Sequence, residues 1–299
     1  PLVTCSRLAP ALPGMSRVII DETALARLAV RHLRERGYRR AAIWDRRPAC
    51  RDPRMLAFAA ACAEAGLACA GFDPGPEAGA AQQQRLGAFV REGRQHGPLA
   101  MFCTQDRIAA FVRELARLSG LTLPHDLALL GVDDQQDVCT AAEPSLSSVV
   151  IPWRAVGEAM GLELHRLLSG RPGGSTILLP PLRVAARAST GVAQVGDAGL
   201  ARALTRLLAQ PRRRWTAAQV ATQAGAGSVR VLQTRLRQAG LPTFQKLLAD
   251  ARLDLAEEAL LRGQSVAQAA LAGGFTTRQG LLAACKRRHG LGPEAWRRQ

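Results

Sequence analysis

Thr216-Ala-Ala-Gln-Val-Ala-Thr-Gln-Ala-Gly-Ala-Gly-Ser228 is the stretch whose reading decides the C-terminal third of this chain. Thr216 is placed to N-cap a short helix whose apolar face is Val220, Ala221 and Ala224. Gly225-Ala226-Gly227 supplies a tight turn, because glycine enters positive φ without a steric penalty. Ser228 then caps a second helix, Val229–Gln238, with Leu232 and Leu236 as its buried stripe. Arg230, Gln233, Thr234 and Arg237 face away from that stripe. Arginine and glutamine make bidentate contacts to guanine and adenine edges, so such a helix suits a DNA major groove. A solvated helix with no target has the same amphipathicity; the small-residue turn, the serine cap and the local charge favour the groove.

Downstream, the pattern continues all-helical. A longer helix, Phe244–Leu261, is introduced by Pro242-Thr243 and stopped near Gly263. A second helix-turn-helix begins at Gln264-Ser265, turns at Gly273-Gly274-Phe275-Thr276 and continues through Thr277–His289. Charge follows the same division. Residues 197–299 hold 17 Lys/Arg against 6 Asp/Glu, while the preceding 196 residues hold 23 against 18. The whole chain of 299 residues carries a formal charge of +16, which favours a polyanionic partner. The change comes near Gly191-Val192-Ala193-Gln194-Val195-Gly196, which sets the expected domains at 1–195 and 196–299.

The longer N-terminal part alternates short apolar runs with helical patterns. Strands are expected at Val18–Ile20, Ala41–Trp44, Leu67–Gly71, Leu99–Thr104, Leu127–Val132, Ser147–Ile151 and Thr176–Leu179. Helices are expected near 22–36, 54–65, 80–93, 106–119 and 153–168. This is the pattern of an α/β domain with a parallel sheet covered on both faces, whose ligands sit at the carboxyl ends of the strands.

Several segments carry family resemblances. Arg252-Leu-Asp-Leu-Ala256, Ser265-Val-Ala-Gln-Ala-Ala270, Gly274-Phe275, Lys286-Arg-Arg-His-Gly290 and Gly292-Pro-Glu-Ala-Trp-Arg297 resemble the AraC/XylS DNA-binding domain. The resemblance implies base reading by Arg230, Gln233 and Thr234 in the first unit. In the second unit it implies Arg278, Gln279, Gly280 and Ala283. Lys286 and Arg287 are then phosphate contacts. The family usually has arginine where Ala283 stands, aromatics where Leu281 and Cys285 stand, and larger aliphatics where Ala269 and Gly273 stand. The second unit is therefore expected to have lost base-reading and packing groups together, so that the first supplies most of the sequence discrimination and the second mainly phosphate contacts.

Leu123-Pro-His-Asp-Leu-Ala-Leu-Leu-Gly-Val-Asp-Asp134 and Pro144-Ser-Leu-Ser-Ser-Val149 resemble the periplasmic-binding-protein-like core of LacI-type regulators. Joined to an AraC-type C-terminus, the arrangement is similar to the xylose operon regulator family. The resemblance implies a doubly wound, two-lobed sensor whose first lobe is incomplete here, leaving helix Arg154–Leu168 exposed. It also implies a sugar effector, with pentose the first candidate, contacted by Asp133, Gln105 and Asp52. For Asp52 and Gln105, helix capping is an equal alternative. The family's usual stacking tryptophan is replaced by Cys50.

Other classes are poorly supported. There is no HExxH, GxSxG, GxGxxG or Walker A sequence, so an enzyme is not expected. Asp133-Asp134, read as neighbours on an extended strand, would point to opposite faces rather than share acid/base work. Seven cysteines without CxxC pairs read as small core residues of a reducing compartment, with neither metal nor cofactor. No apolar run is long enough for a membrane span, and no secretory signal is visible. The expectation is a cytoplasmic, homodimeric transcription regulator binding double-stranded promoter DNA and a small effector. The alternative is a small-molecule-binding module or truncated relic whose DNA binding has become non-specific.

Overall fold

A computed structural model describes residues 1–10, 12–44, 52–191, 198–239, 241–261 and 263–297. The chain falls into two compact units, Pro1–Ala185 and Ala186–Gln299. The boundary expected at 195/196 lies outside the described residues, as does Cys50.

The first unit contains β1 (Val3–Thr4), β2 (Ser16–Ile20), α1 (Glu22–Glu35), β3 (Arg40–Trp44), α2 (Pro53–Glu64), β4 (Ala68–Phe72), α3 (Ala80–Arg94), β5 (Leu99–Phe102) and α4 (Asp106–Leu118). It continues with β6 (Ala128–Val132), α5 (Gln136–Cys139), β7 (Ser147–Val150), α6 (Trp153–Leu168), β8 (Thr176–Leu179) and β9 (Arg183–Ala185). A six-stranded sheet has the order β4-β3-β5-β6-β7-β9. Its strands are parallel except β9, which runs antiparallel to β7. On one face Leu86 and Val90 of α3 and Ala109 and Val112 of α4 pack with Trp44, Met101 and Leu129. The opposite face is covered from α2, where Phe58 stacks on Phe102 with centroids 4.2 Å apart.

A separate sheet has the order β1-β2-β8, all parallel. Helix α6 packs on it, so that helix is not free-standing as the sequence suggested. It buries Val156 and Glu163 and leaves Trp153, Leu162 and Leu168 exposed. β1 and β9 escape sequence reading because two or three residues carry no measurable period.

The second unit is helical: α7 (Ala198–Ala209), α8 (Ala217–Gln223), α9 (Val229–Gln238), α10 (Phe244–Leu261), α11 (Val266–Ala272), α12 (Arg278–His289) and α13 (Pro293–Arg297). It holds two small cores. Leu200, Leu204, Trp215, Val220, Leu232 and Leu236 form the first. Leu253, Ala256, Leu260, Ala269, Leu281 and Cys285 form the second. α10 serves both, giving Phe244 and Leu248 to one and Leu253 and Leu260 to the other.

The second core is not loose at its small residues. A Cβ added at Gly273 would lie 2.6 Å from the Arg252 carbonyl oxygen and 2.8 Å from Ala256 Cβ. Small side chains on α11 let it approach α10 closely, so backbone proximity fills the space that larger aliphatics would occupy.

Candidate nucleic-acid interface and effector site

The two helix-turn-helix units are built by the same local devices. Thr216 and Gln219 form a reciprocal capping box at the start of α8, and Ser265 and Gln268 do the same for α11. Gly225 and Gly274 take φ of 62° and 74° in the turns. Ser228 then accepts from the Val231 amide, and Thr277 from the Gly280 amide, capping α9 and α12.

Their outward faces differ. On α9, Leu232 and Leu236 are buried, while Arg230, Gln233, Thr234 and Arg237 are exposed. Arg230, Gln233 and Arg237 have no side-chain partner among the described residues. Thr234 Oγ1 donates to the Arg230 carbonyl at 3.1 Å, which leaves its lone pairs outward. Arg235 is different, since it donates to the Ala224 carbonyl at 3.3 Å and ties the helix to the turn.

On α12, Arg278, Gln279, Lys286 and Arg287 are exposed, with Arg278 3.9 Å from Glu294. The exposed Ala283 offers no polar group. Arg288 is turned inward, 2.5 Å from Asp254 and 3.3 Å from Glu257. Glu257 is buried and also meets His289 Nε2 at 2.7 Å, and the His289 ring stacks on Trp296. Arg288 and His289 therefore hold the second unit together, and the neighbouring Arg287 stays exposed.

The candidate effector site lies at the carboxyl ends of β3, β5 and β6. Asp133 follows β6 with φ of 107°, and Asp134 with φ of 56°. Non-glycine residues rarely take such values, and they cluster at functional sites. The aspartates are thus in a turn, not on an extended strand as the sequence suggested. The turn is fixed from below by buried Asp106, which accepts from Ser148 Oγ at 2.6 Å and from the Gln135 amide at 2.8 Å. Gly131 leaves room for it, because a Cβ there would run into Asp106 Oδ1 and displace that carboxylate. Asp134 pairs locally with Gln136 Nε2 at 3.0 Å. The Asp133 carboxyl has no hydrogen-bond partner among the described residues. Burial pushes its pKa up to about 6, against the opposing pull of Arg54.

Asp52 is largely committed. It N-caps α2 through the Arg54 amide at 3.0 Å and takes a bidentate pair from Arg7 at 2.9 and 2.8 Å. Burial alone would raise its pKa, but Arg7 and Arg54 hold it below the usual carboxylate range. Gln105 stands exposed at the start of α4 and its side chain makes no cap. Asp133 and Asp52 thus share the arginines Arg7 and Arg54 in one cluster, while Gln105 follows the neighbouring strand β5.

Three members of that cluster escaped sequence reading: Arg7, Glu22 and Arg54. Arg54 is 4% exposed, forms a bidentate pair with Glu22 at 2.7 and 3.0 Å, and donates to the Thr104 carbonyl at 2.7 Å. A guanidinium in the first turn of a helix opposes the macrodipole. Such a misplaced charge in Asp52-Pro53-Arg54 is a local sign of a distant carboxylate partner. Arg7 gives no such sign, because its partner is 45 residues away.

Comparison with known proteins fits this geometry. Residues 30–190 match the periplasmic binding protein-like domain. The chain belongs to that family. Residues 220–299 match a helix-turn-helix domain, so this family member joins a binding-protein-like domain to a DNA-binding fold. The chain is similar to the xylose operon regulatory protein of Haemophilus influenzae, 34% identical over 80 residues. That alignment takes in 26% of this chain and only 21% of the relative's length. The fold is that of a xylose-binding transcription activator of known structure, at TM-score 0.57 and 23% identity over 99% of this chain and 80% of that one. A LacI family regulator from Arthrobacter sp. FB24, solved with lactose, matches 63% of this chain and 70% of its own at 26% identity and TM-score 0.52.

Among the described residues no helix is long and apolar enough to cross a membrane. No group of three or more metal-ligating side chains occurs among them either.

Proposed function

We propose that this chain is a sugar-responsive, sequence-specific transcription regulator acting in the cytoplasm as a homodimer, without catalytic activity. The observation that carries the DNA half is the outward row Arg230, Gln233 and Arg237, unpartnered among the described residues, with Thr234 beside it, on a helix capped and turned like a recognition helix. Arg230 and Gln233 read base edges, while Arg237, Lys286 and Arg287 contact phosphates. Arg278 and Gln279 supply a lesser reading surface. Two copies docked on half-sites give the operator its symmetry.

Asp133 supports the sensor half. A half-buried carboxylate with no hydrogen-bond partner among the described residues suits a donated pair of sugar hydroxyls, and Gln105 follows β5, the strand next to β6. A pentose is the first effector to try, since similar proteins are named for xylose. Closure of the sensor around the sugar would bias the spacing at which the paired DNA-binding units dock.

A gel shift of the full chain on promoter fragments, with and without xylose and ribose, tests this reading. Supporting results are preference for one fragment over random duplex, a shift in affinity with sugar, and log-affinity falling at about −0.9 per neutralised phosphate. Equal affinity for every duplex, unmoved by sugar, would leave the small-molecule module with non-specific DNA binding in its place.

A further inference from the structure

Six cysteines lie among the described residues, and two of them face each other. Cys62 is on the last turn of α2 and fully buried. Cys69 is on β4, the exposed edge strand of the six-stranded sheet. Strand alternation puts Cys69 on the same face as Leu67, opposite to Phe72, which packs with Trp44 and Phe89 on the side of α3. The Cys69 side of β4 is therefore the side covered by α2. The Leu67 amide donates to the Cys62 carbonyl at 2.8 Å, folding the link tightly back from helix to strand. The two thiols meet in a hydrogen bond.

We propose that Cys62 and Cys69 are a redox modification site, forming a reversible disulfide with a hydroperoxide as oxidant. Cys69 is the exposed thiol, and the hydrogen bond from Cys62 lowers its pKa, so it is the first to react. Its thiolate attacks one peroxide oxygen. The O–O bond breaks, and the other oxygen leaves as water or alcohol after taking a proton. The sulfenic acid on Cys69 is then attacked by Cys62 sulfur. The S–S bond forms, the S–O bond breaks, and water departs with the Cys62 proton. Two thiols lose two electrons and the peroxide gains them. α2 begins with Asp52 and Arg54 of the effector cluster, so the bond would pin the far end of the helix that carries them.

Among the described residues, Cys103, Cys139 and Cys285 are buried and Cys5 is exposed. They serve as internal controls. The full chain is treated with equimolar hydrogen peroxide, alkylated with iodoacetamide and cut with trypsin. Cleavage after Arg54 and Arg85 leaves both thiols on one peptide, residues 55–85.

The expected product is that peptide unalkylated and about 2 Da lighter, restored by dithiothreitol, about tenfold sooner than Cys5 is lost. In a Cys62→Ser variant the sulfenic acid on Cys69 should persist and be trapped by dimedone. Over-oxidation of Cys69 to sulfinic acid while Cys62 remains alkylatable would overturn the proposal. So would a peptide alkylated at both thiols after Cys5 has been consumed.

Discussion

The α9 surface and the effector cluster of the first unit use the same residue types in opposite ways. On α9 the polar side chains point outward and bind nothing among the described residues. In the cluster, Arg7, Asp52, Glu22 and Arg54 are mostly used up on one another, leaving the Asp133 carboxyl with no hydrogen-bond partner among the described residues. The first arrangement separates stability from recognition: two leucines hold the helix, and the tips are spare. The second combines them, because the groups that shape the site also tie α1 and α2 to the end of β5. A substitution should therefore act on one property at the exposed tips of α9 and on two in the cluster.

The largest effect is expected at Arg54. Arg54→Ala leaves Glu22 and the Thr104 carbonyl without their donor in a nearly dry setting, and loss of one partner from a buried pair costs about 3–5 kcal/mol. Urea unfolding of the full chain should show the loss, together with weakened effector binding. Arg237→Ala, an equal loss of charge on α9, should stay within about 0.5 kcal/mol of wild type. Comparable destabilisation by the two would erase the contrast.

Next comes discrimination. Arg230→Ala should remove about 1–3 kcal/mol of preference at one base pair without lowering the thermal midpoint. Arg287→Ala should weaken all sequences alike and reduce the salt slope by about one phosphate contact. Binding measured over a randomised operator separates these outcomes. A larger change of base preference from Arg278→Ala than from Arg230→Ala would move the reading helix to α12.

Ser228→Ala should cost about 1 kcal/mol through the orphaned Val231 amide, with a matching loss of DNA affinity because α9 frays at its reading end. Loss of stability with DNA affinity intact would mean that α9 is not read from its N-terminus.

This contrast also explains what the sequence could reveal. α9 was legible because its devices are local: Ser228 caps three residues ahead, Leu232 and Leu236 repeat at helical spacing, and what is left over faces out. The six-stranded sheet was legible for the same reason, with strands such as Ala128–Val132 appearing as short apolar runs. The effector cluster depends on pairs 32 and 45 residues apart, and no period carries that information. Asp133 could be named from its place at a strand end, but not its positive φ. Asp52 was readable as a cap, while the Arg7 pair that occupies it was not. The tight contact at Gly273 was misread because a small residue in a list of core positions looks like a hole until the backbone of α10 is seen against it.

The sharpest test of the cluster is expected at Asp133. Its folded pKa, near 6, lies above that of an unfolded aspartate, about 3.9. The fold therefore favours the protonated carboxyl. Stability from this group is full below about pH 4 and is lost as pH rises through 6. Asp133→Asn, which cannot ionise, should be more stable than wild type at pH 7.5, and the gap should close toward pH 4. Effector binding should run the other way. The ionised carboxylate is the stronger acceptor for sugar hydroxyls, so wild-type affinity should improve as pH rises through about 6. The Asn variant should bind weakly and without that pH dependence. Calorimetric titration and thermal unfolding on the same samples give both curves. A variant that binds sugar as well as wild type would make Asp133 a strained turn residue with no ligand, and the site would have to be sought elsewhere along the sheet.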